Sequence, residues 1–302
     1  MNNQVPEFLI NFLKEQYSEE LVEEIIKGYS AKRQVSLRVN TLKSTLEEVT
    51  KVLEENNIEF ENVPWSNIAL VIKNASKKEI ENLSIYAEGK IYLQSLSSMM
   101  PPIILNPKEK TDILDMAAAP GGKTTQMAAM THNAANITAC ELNTIRAERL
   151  KYNVQKQGAS RVFVMQKDSR FIDDFFSFDN ILLDAPCSGS GTININDERL
   201  HETFSMKLIE KSQKAQKALL EKALKILKPG SEMVYSTCSI LMCENENIVQ
   251  HVLDKFDCEI IPIDFEKTEK LKLLPTKISG TLCVCPNEYY EGFFIAKLKK
   301  NK

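Results

Sequence analysis

The chain has 302 residues, of which 43% are hydrophobic and 26% are charged, and its formal net charge is -3. This composition supports a sizeable packed core and excludes wholesale disorder. The acidic balance argues against a uniformly basic nucleic-acid binder, although it is compatible with a local basic face. No basic leader precedes an apolar run, and no apolar stretch approaches the roughly 20 residues of a membrane span. We therefore expect a soluble, cytoplasmic protein.

The seven cysteines are an odd number spread along the chain, and no C-x2-C pair occurs. This pattern is unlike a disulfide framework, so we expect reduced thiols. The three histidines are scattered as well, so the sequence predicts no zinc or other metal site.

The first third of the chain mixes short helices and strands. Its elements are predicted in this order: a helical region at 6–27, a strand at 35–40, a helix at 44–56, strands at 58–63 and 68–72, and a polar helix at 76–86. Ser44 and Glu47 have the spacing of a capping box at the start of the second helical segment. We assign this small α+β unit to residues 1–88.

From residue 89 onward, apolar strand segments alternate with helical segments. The strand segments are TDILDM, NITACEL, RVFVMQKD, FDNILLD and EMVYSTCS, followed late in the chain by TLCVCP and GFFIAKLK. Such βαβ alternation is typical of a parallel sheet with helices on both faces. We therefore predict an α/β domain over residues 89–302.

The segment ILDMAAAPGGKTTQMA runs from a buried strand through a turn of small residues into a helix, which is where doubly wound folds bind ligands. A dinucleotide loop requires G-x-G-x-x-G, and only Gly121-Gly122 is present. A triphosphate loop is closer, because Gly122-Lys123-Thr124 matches its end. However, Ala117 stands where its first glycine belongs, and Pro120 removes an N–H group from the loop. S-adenosylmethionine is the remaining class of ligand.

Acidic residues end four successive predicted strands, namely Asp115, Glu141, Asp168 and Asp184. An acid after the second strand of such folds contacts ribose hydroxyls, as Glu141 would. Asp168 is placed to meet the adenine amino group. Acidic loops at strand ends are common, and it is the series of four that favours a nucleoside-type ligand.

Cys187 and Cys238 follow the fourth and fifth strands, on the same edge as this loop. A thiolate beside S-adenosylmethionine is what methylation of a pyrimidine at C5 requires, because its addition to C6 makes C5 nucleophilic. Asp184 is placed to hydrogen-bond or protonate the ring nitrogen N3. The remaining cysteines are expected to be inert core residues. At this point the roles of the two thiols remain interchangeable.

The segments DMAAAPGGKTT, LLDAPCSGSGT and YSTCS resemble three signature motifs of the Nop and Sun family of RNA cytosine-5 methyltransferases. The similarity extends to SLRVNTLK, IYLQSLSSMMPPIIL, QKALLEKALKILKPG and EGFFIAKL, and so to nearly the whole chain. It implies a Rossmann-like methyltransferase core with a mixed, mostly parallel sheet. It also implies a preceding α+β RNA-recognition-like domain that binds RNA.

The resemblance implies an S-adenosylmethionine-dependent enzyme acting on structured RNA, either tRNA or rRNA. In it Cys238 is the nucleophile, Cys187 assists release of the methylated RNA, and Asp184 and Lys123 complete the catalytic set. The implied cofactor contacts are Ala117, Ala118, Ala119, Pro120, Gly121, Gly122, Lys123, Glu141, Asp168 and Asp184. We expect a monomer without metal or membrane partners, and leave an accessory protein open. A triphosphate-binding switch and an inactive RNA-binding scaffold are the competing hypotheses.

Two basic runs could contact RNA. Between Ile25 and Leu46 stand five basic residues and no acid, and between Lys207 and Lys228 seven lysines stand against two glutamates. We interpret the first run, which includes Arg38, as the surface that touches phosphates. The second run is interpreted as the solvated face of a helix.

Overall fold

The computed structural model describes residues 5–265 and 270–302, and it begins with two helices, α1 (Glu7–Gln16) and α2 (Glu19–Ser30). They confirm the predicted helical region and its break near Tyr17, where the backbone becomes extended. Both helices bury an apolar stripe against the large domain, and Leu9, Leu13 and Ile25 are completely inaccessible to solvent.

A four-stranded antiparallel sheet follows, with the strand order β2-β3-β1-β4. Its elements are β1 (Val35–Val39), α3 (Leu46–Glu55), β2 (Phe60–Val63), β3 (Ser66–Ile72), α4 (Lys77–Glu81), α5 (Ser84–Ala87) and β4 (Ile91–Leu93). This βαββαβ succession is a ferredoxin-like arrangement. The predicted α+β RNA-recognition-like domain is thereby confirmed as a fold.

The capping box of α3 lies one residue later than the sequence pattern predicted. Thr45 accepts a hydrogen bond from the Glu48 amide, and the Glu48 carboxylate accepts one from the Thr45 amide. Ser44 instead donates its hydroxyl to that carboxylate at 2.6 Å. Two overlapping S/T-x-x-E patterns stand here, and the second forms the capping box.

The small sheet extends beyond the boundary expected at residue 88. Strand β4 lies after that position and pairs with β1, placing Ile91 opposite Val39. Asn40 ties the small sheet to the rest of the chain by donating to the carbonyls of Gly89 and Gln157, both at 2.8 Å. The division into residues 1–88 and 89–302 stays a prediction.

The large sheet confirms the predicted Rossmann-like core. Within the described part of the chain, its strands are β5 (Asp112–Asp115), β6 (Asn136–Cys140), β7 (Val162–Met165), β8 (Phe178–Asp184), β9 (Leu227–Thr237), β10 (Cys258–Ile260), β11 (Leu273–Leu274), β12 (Leu282–Val284) and β13 (Phe293–Lys300). Strands β9-β8-β5-β6-β7 are parallel, and β13 is antiparallel to β9. The sheet is therefore mixed and mostly parallel.

Helices cover both faces of this sheet. They are α6 (Leu96–Leu105), α7 (Gly122–Met130), α8 (Thr144–Lys156), α9 (Leu200–Thr203), α10 (Met206–Ile226) and α11 (Glu246–Leu253). Alternate strand residues face opposite ways, so Leu114 and Leu183 join the core with α10, while Ile113 and Leu182 join the core with α6 and α7. Every described helix is too short or too polar to cross a membrane.

Candidate active site

A cavity of about 1200 Å³ opens at the carboxyl edge of the parallel strands. This edge is where ligands bind in open α/β sheets, because the loops after neighbouring strands meet there. Seven of the predicted site residues line the cavity, namely Ala117, Ala119, Glu141, Asp168, Asp184, Cys187 and Cys238. Half of the expected cofactor contacts and both thiols therefore line the same cavity.

The other five predicted residues do not line the cavity. Ala118, Pro120, Gly121, Gly122 and Lys123 are absent from the described wall of the cavity. The Pro120 carbonyl accepts a hydrogen bond from Asn153 at 2.7 Å. These residues shape the turn, whereas Ala117 and Ala119 present it to the cavity.

Gly121 makes the turn into α7 possible. Its φ of +107° lies in the left-handed region, and a Cβ atom here would stand 3.0 Å from Leu150 Cδ1. Only glycine meets both conditions without strain. Arg38 of the small sheet is completely buried beside this turn and donates to the Gly122 carbonyl at 3.5 Å and to Thr125 at 3.2 Å. The loop is thus fixed from the side of the small domain as well.

Two carboxylates stand on the cavity wall after β6 and β7. Glu141 accepts a hydrogen bond from the Asn143 amide at 2.8 Å, and Arg146 lies 3.5 Å from its other oxygen. Asp168 accepts three hydrogen bonds from the Arg170 guanidinium, and these bonds hold the pKa of Asp168 below its ordinary value. An ionised Asp168 is the state that accepts a hydrogen bond from an amino group.

Lys123 and Asp184 form the best-buried ion pair at this edge. Lys123 Nζ donates to Asp184 Oδ2 at 2.7 Å and to the Ser98 hydroxyl at 2.7 Å. Ser236 donates to the other carboxylate oxygen at 2.8 Å. Because Lys123 is held in this way, it lies beside the group that ends β8 and does not extend freely into the turn.

The sulfur atoms of Cys187 and Cys238 are 3.2 Å apart, and both cysteines are free thiols. The hydrogen bond with Cys238, together with burial, holds the pKa of Cys187 well above its ordinary value. Cys187 therefore keeps its proton at neutral pH, and its S–H group is available to donate to the Cys238 sulfur.

Glu244 connects the loops that carry the two thiols, although none of the motifs recognised in the sequence includes it. Its side chain is fully buried and accepts hydrogen bonds from the Ser188 amide at 2.8 Å, from the Ser188 hydroxyl at 2.5 Å and from the Ser239 hydroxyl at 2.7 Å. Ser188 and Ser239 each directly follow one of the two cysteines. A buried carboxylate bonded on both sides fixes the separation of the thiols.

The loop after Cys187 is also held by a close backbone crossing. The Gly191 amide donates to the Cys238 carbonyl at 2.9 Å, and the Gly292 amide donates to the Gly191 carbonyl at 2.8 Å. A Cβ atom on Gly191 would stand 2.0 Å from the Gly292 carbonyl oxygen. Glycine at 191 is therefore required by the approach of two backbones.

Arg38 does not belong to the surface expected from the first basic run, whereas Lys27 and Lys32 of that run are exposed. Arg38 is buried, Lys43 donates to the carbonyls of Glu88 and Lys156, and Arg33 donates to the Gly191 carbonyl at 3.4 Å. These cations bond main-chain oxygens between the small domain and the core. The interpretation of Arg38 as a phosphate contact is wrong, because its guanidinium has no exposed surface.

Asp115 provides a pH-dependent test of the site's packing. It is completely buried at the end of β5, accepts a hydrogen bond from Thr124 at 2.7 Å, and burial raises its pKa to about 6. The folded protein therefore binds the Asp115 proton more tightly than the unfolded chain does. This contribution to stability is fully present below the ordinary pKa of aspartate and is lost as the pH rises through about 6. As the pH rises from 4 to 7, we expect the free energy of unfolding of the wild type to fall by about 2 kcal/mol relative to that of Asp115→Asn, because asparagine does not ionise. Urea unfolding of both proteins at each pH measures this change. A difference in the free energy of unfolding that does not vary with pH would contradict the prediction.

No group of three or more His, Cys, Asp or Glu side chains with a geometry for metal binding occurs among residues 5–265 and 270–302.

The sequence and the structure were compared with those of known proteins, and the sequence matches two models of one family. Residues 102–299, more than half of the chain, match the family model of the 16S rRNA methyltransferase RsmB/F. The chain belongs to the RsmB/F family. Residues 5–78 match the ferredoxin-like domain of the same family, in agreement with the small antiparallel sheet. The resemblance seen in the sequence motifs is confirmed.

Members and structural relatives of the RsmB/F family cover the chain almost completely. Ribosomal RNA small subunit methyltransferase F of Shewanella sp. (strain ANA-3) is 35% identical over 290 residues, which are 93% of this chain and 59% of that protein. The crystal structure of PH0851 superposes with a TM-score of 0.89 at 32% identity, covering 99% of this chain and 69% of that one. The crystal structure of NSun6 from Pyrococcus horikoshii with SFG gives 0.85 at 25% identity and 98% coverage of both. The chain spans about 60% of the length of its curated RsmB/F relatives.

The surroundings of Lys123 distinguish a triphosphate-binding loop from a loop that binds S-adenosylmethionine. A triphosphate loop needs its lysine free to reach phosphates. Lys123 is instead held between Asp184 and Ser98. The acceptor groups of the cavity wall fit S-adenosylmethionine better, because the carboxylates of Glu141 and Asp168 can accept hydrogen bonds from hydroxyl and amino groups, and the 62% exposed Leu142 offers an apolar surface beside them.

Proposed function

We propose that this protein transfers a methyl group from S-adenosylmethionine to C5 of a cytosine in RNA, through a covalent bond between Cys238 and C6. The observation that carries the proposal is the pair of free thiols, with sulfur atoms 3.2 Å apart, in the same cavity as the loop after β5. Methylation at an exocyclic nitrogen or at a ribose hydroxyl has no use for two thiols at this position.

S-adenosylmethionine lies along the loop from Ala117 to Lys123, with its ribose at Glu141 and its adenine at Asp168. This assignment rests on the family motifs and on the two carboxylates of the cavity wall. A structural relative at 25% identity contains SFG, an S-adenosylmethionine analogue, which supports the same cofactor class. When bound, the cofactor supplies the electrophilic methyl group.

Cys238 acts as the nucleophile. Its thiolate adds to C6 of the cytosine, and the electron pair of the C5–C6 double bond moves to C5, which then takes up the methyl group. The C5 proton then passes to water in the solvent-open cavity, its electron pair restores the C5–C6 double bond, and the Cys238 sulfur leaves C6 as a thiolate. Cys187 keeps its proton because the hydrogen bond to Cys238 raises its pKa, so it stabilises the Cys238 thiolate and assists its departure.

Asp184 contacts the polar edge of the cytosine at N3. A proton held at N3 withdraws electrons from the ring and makes C6 more open to addition. Lys123 Nζ donates a hydrogen bond to Asp184 Oδ2 at 2.7 Å, and this bond holds the carboxyl group in position and places positive charge beside it. Both side chains are therefore assigned to the catalytic set.

The substrate is structured RNA, and the names of the curated relatives favour rRNA of the small subunit over tRNA. The target cytosine must leave its stack to reach Cys238, which lies inside the cavity. The first 88 residues act as the RNA-binding domain and the remainder as the catalytic domain. The protein acts as a monomer.

RNA containing 5-fluorocytidine tests the proposed chemistry. Fluorine at C5 cannot leave as the proton does, so addition and methyl transfer proceed while release of Cys238 is blocked. We expect a slowly migrating protein–RNA band on a denaturing gel, dependent on S-adenosylmethionine. Unmodified RNA serves as the control and should give methylated product without the band. Methyl transfer to unmodified RNA together with no band on the fluorinated RNA would exclude attack at C6.

A further inference from the structure

Three lysines of α10 line the cavity that contains both thiols. Lys207, Lys211 and Lys214, hereafter the lysine face, are four and three residues apart and therefore lie on one side of the helix. All three are exposed. Within residues 5–265 and 270–302, none of them has an ion-pair partner within 4 Å. From the sequence, this basic run is expected to be the solvated face of a helix. In the structure, the lysines of its first half line the cavity.

The opposite side of α10 is anchored to the loop of Cys187. Gln216 is completely buried and donates to the Pro186 carbonyl at 3.0 Å and to Glu244 at 3.3 Å. Ser212, one turn earlier, is buried as well. Because these bonds hold the helix, the lysine face has a fixed position relative to Cys187.

Two of the other cations of the cavity have acidic partners, whereas Lys167, which also lines it, has no ion pair within 4 Å in the described part of the chain. Arg146 lies beside Glu141, and Arg170 binds Asp168. The lysine face has one acid beside it on α10, Glu210, and so retains an excess of positive charge. S-adenosylmethionine carries one carboxylate and no phosphate, so three lysines exceed what that cofactor requires.

We infer that the lysine face binds RNA phosphates next to the target cytosine. This inference rests on the proposed function and names where the RNA backbone enters the site. The three residues extend over roughly 10 Å of helix, enough for successive phosphates of one strand. An extruded cytosine leaves its flanking phosphates at the mouth of the cavity, where unpaired lysines release counterions on contact.

The test replaces the lysine face and compares it with a variant of equal charge. The first protein carries Lys207→Gln, Lys211→Gln and Lys214→Gln. The control carries Lys14→Gln, Lys217→Gln and Lys225→Gln, which are exposed and lie outside the cavity wall. Binding of a stem-loop RNA with single-stranded cytosines is followed by fluorescence anisotropy at several salt concentrations, and S-adenosylmethionine binding by calorimetry.

We expect the lysine-face variant to bind the RNA at least about tenfold more weakly, with a salt dependence reduced by about two to three units of slope. Its affinity for S-adenosylmethionine should match that of the wild type, which shows that the cavity is intact. The control should bind RNA as the wild type does. Equal RNA affinity and slope in the two variants would overturn the inference. Because binding is measured without turnover, failure of the proposed chemistry, seen as no adduct with 5-fluorocytidine, is a separate result.

Discussion

Replacing Cys238 with alanine is expected to abolish methyl transfer to RNA and leave S-adenosylmethionine binding intact. Without the thiolate, C6 receives no nucleophile and C5 remains too weakly nucleophilic to take a methyl group. Removing the nucleophile of a covalent enzyme costs roughly 10⁴-fold or more in turnover. Incorporation of a radioactive methyl group from S-adenosylmethionine into RNA measures the loss, and calorimetry measures cofactor affinity.

Cys243→Ala is the matched control for Cys238→Ala. Cys243 lies five residues further along the chain, is a free and partly buried thiol, and is outside the cavity wall. Its loss should leave turnover within a factor of about two, since a partly buried thiol makes only ordinary packing contacts. Retained activity in Cys238→Ala would contradict its assignment as nucleophile, and equal losses in both variants would indicate damage to the fold.

Replacing Cys187 with alanine is expected to trap the protein on its RNA. The S–H group 3.2 Å from the Cys238 sulfur is then missing, and the thiolate that leaves C6 has lost its proton-bearing partner. Addition still occurs through Cys238, so a covalent adduct accumulates on unmodified RNA. Turnover should fall roughly 100-fold or more, the usual size of a proton-transfer contribution. A slow band on a denaturing gel is the readout.

The double variant Cys187→Ala with Cys238→Ala separates this explanation from others. It should give no band, because the adduct depends on Cys238. If the single variant turns over slowly without forming an adduct, Cys187 serves the addition and not the release. If the double variant still forms an adduct, the nucleophile is another residue.

The fold was largely predictable because its elements are strongly periodic. The strands from β5 to β9 are apolar segments, and helices follow β5, β6 and β8, so that few arrangements other than a parallel sheet are possible. The boundaries were less predictable. Two capping patterns overlap at Ser44 and Thr45, and the spacing of the residues alone does not distinguish them. The assignment of β4 to the small sheet required its pairing partner.

The shared cavity was predictable from topology, since Glu141, Asp168, Asp184, Cys187 and Cys238 all follow strands of one parallel sheet. The burial of individual charged side chains was not predictable from the sequence. Arg38 and Lys207 both belong to basic runs, but the first lies between two domains and the second faces the cavity. A charge count along the chain contains no information on this difference. Glu244 shows the same limit, because only the fold brings both serines to its carboxylate.

The contact of Arg38 with the turn after β5 has a consequence for modularity. Its guanidinium belongs to the small domain, while the Gly122 carbonyl and Thr125 belong to the first turn of α7. A protein cut down to residues 89–302 would expose this end of α7 and remove its donor. The two parts of the chain therefore share the scaffold of the loop after β5, so a truncation that removes the proposed RNA-binding domain would also disturb the proposed methyl-donor site.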